Sequence, residues 1–248
     1  MIVYDIETGP LPAEEIKRLS PPFESKLRHP GEFSIAAVKT GNLKDPNKVE
    51  AKINDAREKH AKSVEEFSSA VEKEESDYWR DVFDRAALSA LTGQVLAIGF
   101  RGNAAVVLQK EFEPDNEVEL LTLFWGKFLE CYKMRRPMVG FNSNYFDVQF
   151  LYQRSLILSV DVPASVFDGK WLSKTFVDLL DYWRLGNRQI SNKLDTISKA
   201  LGIGGKPDGI SGKDFAGLYL NPATKQQAID YLLGDLDMTW NFAKRVGL

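Results

Sequence analysis

The chain alternates short β-prone runs with stretches of helical periodicity, and this alternation most restricts the folds open to it. β-prone runs occur at Met1–Tyr4, Gln94–Phe100, Ala104–Leu108, Pro137–Phe141 and Phe176–Leu179. Gly9-Pro10 is expected to break the strand that starts the chain. Arg101-Gly102-Asn103 reads as a turn, so the second and third runs form a hairpin. Helical periodicity follows at about 116–132, where Val118, Leu121, Phe124, Trp125, Phe128 and Leu129 recur on one face. Further helices are expected at about 145–156, at 191–201, and from Asn221-Pro222 to about Val246. Five glycines and one proline make 202–213 a loop. Strand, hairpin, helix, strand, helix, strand and helices in that order predict an α/β fold with a mixed sheet.

One stretch has a different character. Four prolines and a glycine keep the chain irregular to about residue 44, at Pro12, Pro21, Pro22, Pro30 and Gly31. Asp45-Pro46 then supplies an N-cap and a first-turn proline. Val49, Ile53, Ala56, Val64, Phe67 and Val71 mark one face of a long, charged, amphipathic helix over about 45–76. Residues 44–85 hold 9 of the 32 basic and 12 of the 35 acidic residues, so the net charge of −3 sits there.

That balance excludes a protein that coats nucleic acid through its phosphates, but not one that grips a few nucleotides. The 44% hydrophobic residues supply a core. No apolar run reaches the roughly 18 residues of a membrane span. Asp5 interrupts the apolar stretch that a signal peptide requires. The lone Cys131 excludes an internal disulfide and a cysteine-rich metal site. A cytoplasmic location is expected.

Three motifs carry chemistry. Asp5-Ile6-Glu7 ends the first strand, and strand alternation puts both carboxylates on one face. Two such carboxylates repel unless a cation lies between them, and hard oxygen ligands favour Mg²⁺ or Mn²⁺. Asp115-Asn116-Glu117 repeats the pattern in a polar run at a helix start, where it reads as capping and first-turn charge. In Asn142-Ser143-Asn144-Tyr145-Phe146-Asp147 a strand runs into a helix, and Asp147 falls in the first turn. The competing reading is a capping box, with Asn144 as N-cap and Asp147 at the third position. Tyr231 and Asp235 lie one turn apart on the last helix, where a half-buried tyrosine beside a surface acid is the simpler reading of the spacing alone.

Taken together and in this order, the three motifs resemble the DEDD superfamily of 3′–5′ exonucleases, in its tyrosine subtype. They are most similar to the predicted exonucleases related to the proofreading domain of family B DNA polymerases. The likeness covers residues 1–10 and about 93–248, including Phe176–Leu180, Leu194-Asp195 and Leu201-Gly202. Residues 11–92 then read as an insertion within a single domain spanning 1–248. The histidine subtype is excluded, because neither His29 nor His60 has an aspartate five positions on.

The resemblance implies an RNase H-like fold. It implies that Asp5, Glu7, Asp147 and Asp235 hold two divalent cations, Mg²⁺ or Mn²⁺, and that Tyr231 orients the attacking water. A tyrosine of pKa about 10 is a poor base at neutral pH, so orientation is its expected role. Thr8, Asn142 and Phe146 are candidate substrate contacts, with a core position favoured for Phe146. Lys206, Lys213 and Arg188 are candidate phosphate contacts or ordinary surface cations. Asp178 and Asp237 have no assigned role. The expected activity is removal of nucleoside 5′-monophosphates from single-stranded or frayed 3′ ends of DNA. The alternatives are a 3′–5′ exoribonuclease and a non-catalytic nucleic-acid-binding or scaffold module. The 45–85 segment is a candidate surface for a protein partner or for self-association.

Overall fold

The apolar runs pair as one sheet. The computed structural model describes residues 1–102, 105–109, 114–168, 172–206 and 211–248. Among these, β1 (Ile2–Pro10), β2 (Gly93–Arg101), β3 (Ala105–Gln109), β4 (Met138–Gly140) and β5 (Phe176–Asp178) lie in the order β3-β2-β1-β4-β5. β1, β2 and β3 are antiparallel neighbours, whereas β4 pairs parallel with both β1 and β5. The expected mixed α/β sheet is therefore present. The expected hairpin forms, although part of its turn lies outside the described residues.

The helices are α1 (Ala13–Leu19), α2 (Pro46–Arg85), α3 (Pro114–Lys133), α4 (Asp147–Ile157), α5 (Leu179–Arg184), α6 (Leu194–Leu201), α7 (Phe215–Leu220) and α8 (Lys225–Arg245). Alternation along β1 sends Ile2, Tyr4 and Ile6 into a core with Phe124 and Phe128 of α3 and Leu151 of α4. Val3 points the other way, into a core with Ile197 of α6 and Leu236 and Phe242 of α8. β1 is thus covered on both faces, which is why its apolar run is nearly continuous.

Two boundaries differ from the sequence expectation, and α1 forms within the stretch expected to be irregular. β1 does not stop at Asp5 but continues to Pro10, because β2 pairs with it as far as Gly93, with a bulge between Glu7 and Thr8. Pro10 is tolerated at the strand end, where a missing N–H costs least. The long helix does not stop near 76 but runs to Arg85, since no glycine or proline interrupts the chain before Gly93.

The chain leaves the sheet at Pro10 and rejoins it opposite, at Gly93, where the Leu11 N–H donates to the Thr92 carbonyl at 2.8 Å. Within this excursion Ser20–Asp84 form a second compact unit, while α1 belongs with the sheet. In that unit the segment before α2 runs back along the helix. The Tyr78 hydroxyl donates to the Pro21 carbonyl at 2.6 Å and Ser25 Oγ donates to Glu74 at 2.7 Å. His29 packs on Phe67 and Phe33 on His60. No residue of α2 is buried. No described helix is long and apolar enough to cross a membrane.

Candidate active site

The odd-numbered face of β1 carries Val3, Asp5 and Glu7. Their partners on β2 are small: Gly99 lies beside Asp5, and Ala97 beside Glu7. These residues let α8 settle on the sheet. A β-carbon on Gly99 would stand 2.7 Å from Leu236 Cδ1. Close seating of α8 brings Asp235 to β1, so that one carboxylate oxygen each from Asp5, Glu7 and Asp235 lie within 4.8 Å of one another. Tyr231 lies one turn earlier, 6% exposed, against Phe215 of α7.

Asp147 arrives from the other side of β1. Pairing of β4 with β1 covers only Ile2 and Val3. Farther along β1, the Ile6 N–H donates to Asp147 Oδ1 at 3.2 Å, a bond that ties the second motif to the first. Asp147 also lies close enough to Asp5 for its charge to act on that carboxylate. The capping box is not formed. Phe146 holds the N-cap position with no side-chain cap, and Asp147 is the first residue of α4, turned toward β1.

The turn that delivers Asp147 is held by Asp178, to which the sequence assigned nothing. Asp178 Oδ1 accepts from the Asn142 N–H at 2.8 Å and from the Leu180 N–H at 2.9 Å, and Oδ2 accepts from the Asn144 N–H at 3.0 Å. Asn142 adopts a left-handed φ of 58°. A β-carbon on Gly140 would meet Ser143 Cβ at 2.4 Å, so glycine is required where the strand enters this turn.

Charge in the site is unbalanced. Burial, and then the neighbouring acids, hold Asp5 and Glu7 well above the usual carboxylate range. Burial pushes Asp147 up to about 7, opposed by the backbone N–H groups of Asp147 and Ile6. Burial also raises Asp235, opposed by Lys206 and Tyr231. Burial, and then the Asp235 charge, push the Tyr231 phenol up to about 12, so it keeps its proton at neutral pH.

Lys206 is the cation in this cluster. Its ammonium lies 2.7 Å from Asp235 Oδ2, donates to the Tyr231 hydroxyl, and sits 4.0 Å from the Tyr231 ring centroid. The sequence offered it only as one of several loop cations. Lys213 is exposed, and Arg188 lines a groove with Tyr145, Tyr152 and Phe167.

The expected substrate contacts are placed as follows. Thr8 Oγ1 donates to the Ala87 carbonyl at 2.7 Å. Phe146 is half-buried on the α3–α4 core, with its ring 5.6 Å from Phe150. Asn142 is half-buried in the turn before Asp147. Asp237 pairs with Arg101, away from the acids. Glu117 of the second acid pattern is more than first-turn charge. Glu117 is buried, and Arg154 grips it with two bonds of 2.9 and 2.7 Å.

The donor set fits hard divalent cations. It offers only carboxylate oxygens, and buried Asp235 Oδ1 has no hydrogen-bond partner.

Residues 76–242 match the family model described as a predicted 3′–5′ exonuclease related to the exonuclease domain of PolB. This stretch contains Asp147, Tyr231 and Asp235, and begins well after Asp5 and Glu7. Solved structures similar to the chain include the family B DNA polymerase from the hyperthermophilic archaeon Pyrobaculum calidifontis. The TM-score is 0.52 and the identity 21%, over 66% of this chain and 23% of that one. The likeness is one of fold, the RNase H-like sheet, and the chain spans about a quarter of the polymerase's length. No curated protein matches the chain. The family match covers well over half of the residues, and the chain belongs to the predicted 3′–5′ exonucleases related to the exonuclease domain of PolB.

Proposed function

We propose that the chain is a 3′–5′ exonuclease that removes nucleoside 5′-monophosphates from single-stranded or frayed DNA ends with two divalent cations, Mg²⁺ or Mn²⁺. The observation that carries this reading is the convergence of Asp5, Glu7 and Asp235 within 4.8 Å, with Tyr231 one turn from Asp235. Asp147 completes the set from beside Asp5. When bound, the cations lower the pKa of the attacking water and neutralise charge on the departing oxygen.

The chain's own residues bind, orient and exclude. The four carboxylates come from three separate elements, β1, α4 and α8, so the site exists only in the folded chain. The Tyr231 phenol, protonated up to about pH 12, orients water by hydrogen bonding and does not act as a base. Water adds to phosphorus, the bond to the 3′ oxygen of the preceding nucleotide breaks, and that oxygen takes a proton. Thr8, Asn142 and Phe146 are offered as the substrate contacts, Thr8 Oγ1 while donating to the Ala87 carbonyl and Phe146 while packed beside Phe150. DNA is favoured over RNA because the similar fold belongs to a DNA polymerase.

The test is a time course on 5′-labelled single-stranded DNA and RNA, with Mg²⁺, Mn²⁺ or EDTA, for the native chain and Asp5→Ala. A ladder that shortens from the 3′ end of DNA, and vanishes with EDTA or in Asp5→Ala, is the expected outcome. A ladder on RNA alone replaces DNA by RNA as the substrate. No shortening of either strand with either metal overturns the catalytic reading.

A further inference from the structure

Lys206 is held in the acid cluster by a device of its own. Gly202 ends α6 in the left-handed conformation, at φ 67°. The Lys206 N–H then donates to Asp195 Oδ1 on α6 at 2.7 Å, and Asp195 is paired with Lys199 at 2.9 Å. With its backbone anchored, the side chain reaches Asp235 Oδ2 and Tyr231, and is 23% exposed. Its charge also acts on Asp5 and Glu7, against the effect of burial. It does this incompletely, since Asp235 Oδ1 has no partner.

We infer that Lys206 is an internal cation that competes with the divalent ion for Asp235. In the ion-free chain it holds Asp235 and Tyr231 in place, and ion entry and ammonium withdrawal are a single exchange. This rests on the reading that the carboxylate cluster binds divalent cations. The physical basis is that two cations held by one buried carboxylate, even on its two different oxygens, repel across a few ångströms, while the flexible lysine stem lets the ammonium move with its backbone fixed.

Binding of Mn²⁺ to the full chain, without substrate, is measured from the free-ion EPR signal, alongside melting in EDTA. Lys206→Met keeps the length of the stem and removes the charge, and Lys206→Arg keeps the charge. Lys206→Met is expected to bind Mn²⁺ about tenfold more tightly, the ratio that about 1.4 kcal/mol produces. It is expected to melt lower in EDTA and to recover with Mn²⁺, whereas Lys206→Arg stays near native in both readouts. A Lys206→Met chain that folds only with Mn²⁺ also supports the exchange. Unchanged or weaker Mn²⁺ binding by Lys206→Met overturns it, as does a chain that stays unfolded with Mn²⁺ present. Asp5→Asn separates the two readings. If it binds Mn²⁺ like the native chain, the metal reading itself fails. If it loses Mn²⁺ while Lys206→Met is unchanged, only the exchange fails.

Discussion

Glu117 and Glu7 are both buried, 2% and 9% exposed, and each ends an acid–any–acid pattern, yet their surroundings are opposite. Glu117 is matched. Arg154 binds both its oxygens, the Val95 N–H donates to it at 2.8 Å, and a third bond from Arg154 reaches the Ala90 carbonyl. Glu7 faces Asp235 and Asp147, with Lys206 as its cationic neighbour. Burial of a matched acid ties α3, α4 and β2 together. Burial of unmatched acids stores a demand for positive charge that a folded chain meets from outside. One pattern is therefore structural and the other poised for a ligand, and what separates them is the partner that the tertiary fold supplies.

The largest expected effect sharpens this contrast. Glu7→Gln lowers exonuclease turnover by about a thousandfold or more, equivalent to about 4 kcal/mol of transition-state stabilisation. It leaves the melting temperature in EDTA unchanged or raised, because it removes a repelling charge. Glu117→Ala does the reverse. It strands the Arg154 guanidinium and costs about 3–5 kcal/mol of stability, with turnover of the folded fraction retained below its melting point. Urea unfolding and single-turnover kinetics on both variants check the pair. A Glu7→Gln chain that loses stability but keeps turnover would remove the distinction.

The seating of α8 is the next point of attack. Gly99→Ala sets a β-carbon against Leu236, and overpacking of this kind costs about 1–3 kcal/mol. Asp235 and Tyr231 ride on the same helix, so turnover falls along with stability. The equivalent addition at Gly126, exposed within α3, where a β-carbon meets nothing within 4 Å, leaves turnover unchanged and raises stability by about 0.5–1 kcal/mol.

Much of this arrangement is legible in the chain itself, and the exceptions have physical causes. Periodicity reveals the strands and helices because each buries a face. Asp5, Glu7, Asp147, Tyr231 and Asp235 are readable through their order along the chain and their places on β1, α4 and α8. The end of β1 was hidden because Gly9-Pro10 looks like a break, while the antiparallel partner that carries the strand through it lies more than eighty residues away. Glu117 looked like first-turn charge because Arg154, thirty-seven positions on, is a partner that only the fold brings near. Asp178 reads as a strand end, and its grip on the Asn142–Asn144 turn depends on β4 and β5 being neighbours. Lys206 sits in a glycine-rich loop, where no periodicity places a side chain. Its position depends on the bond from its own N–H to Asp195.

The most gradual expected effect, spread over several pH units, is on the pH dependence of stability. In the folded, ion-free chain Asp147 keeps its proton up to about pH 7, whereas an unfolded aspartate loses it near pH 3.9. Between these values the folded state binds more protons than the unfolded state, so stability falls as pH rises, by at most about 1.4 kcal/mol per pH unit from this group. The cost is absent below the unfolded value and complete above the folded one. Asp5 and Glu7, also raised by burial, act in the same direction. Saturating Mg²⁺ binds the ionised carboxylates and cancels the slope. Chemical denaturation in EDTA at steps between pH 5 and 8 should therefore show declining stability that flattens when Mg²⁺ replaces EDTA. Asp147→Asn should lessen the slope without metal, by the share that Asp147 contributes. A decline that persists equally in Mg²⁺ would place its source outside the carboxylate cluster, and the contrast between matched and unmatched acids would lose its energetic meaning.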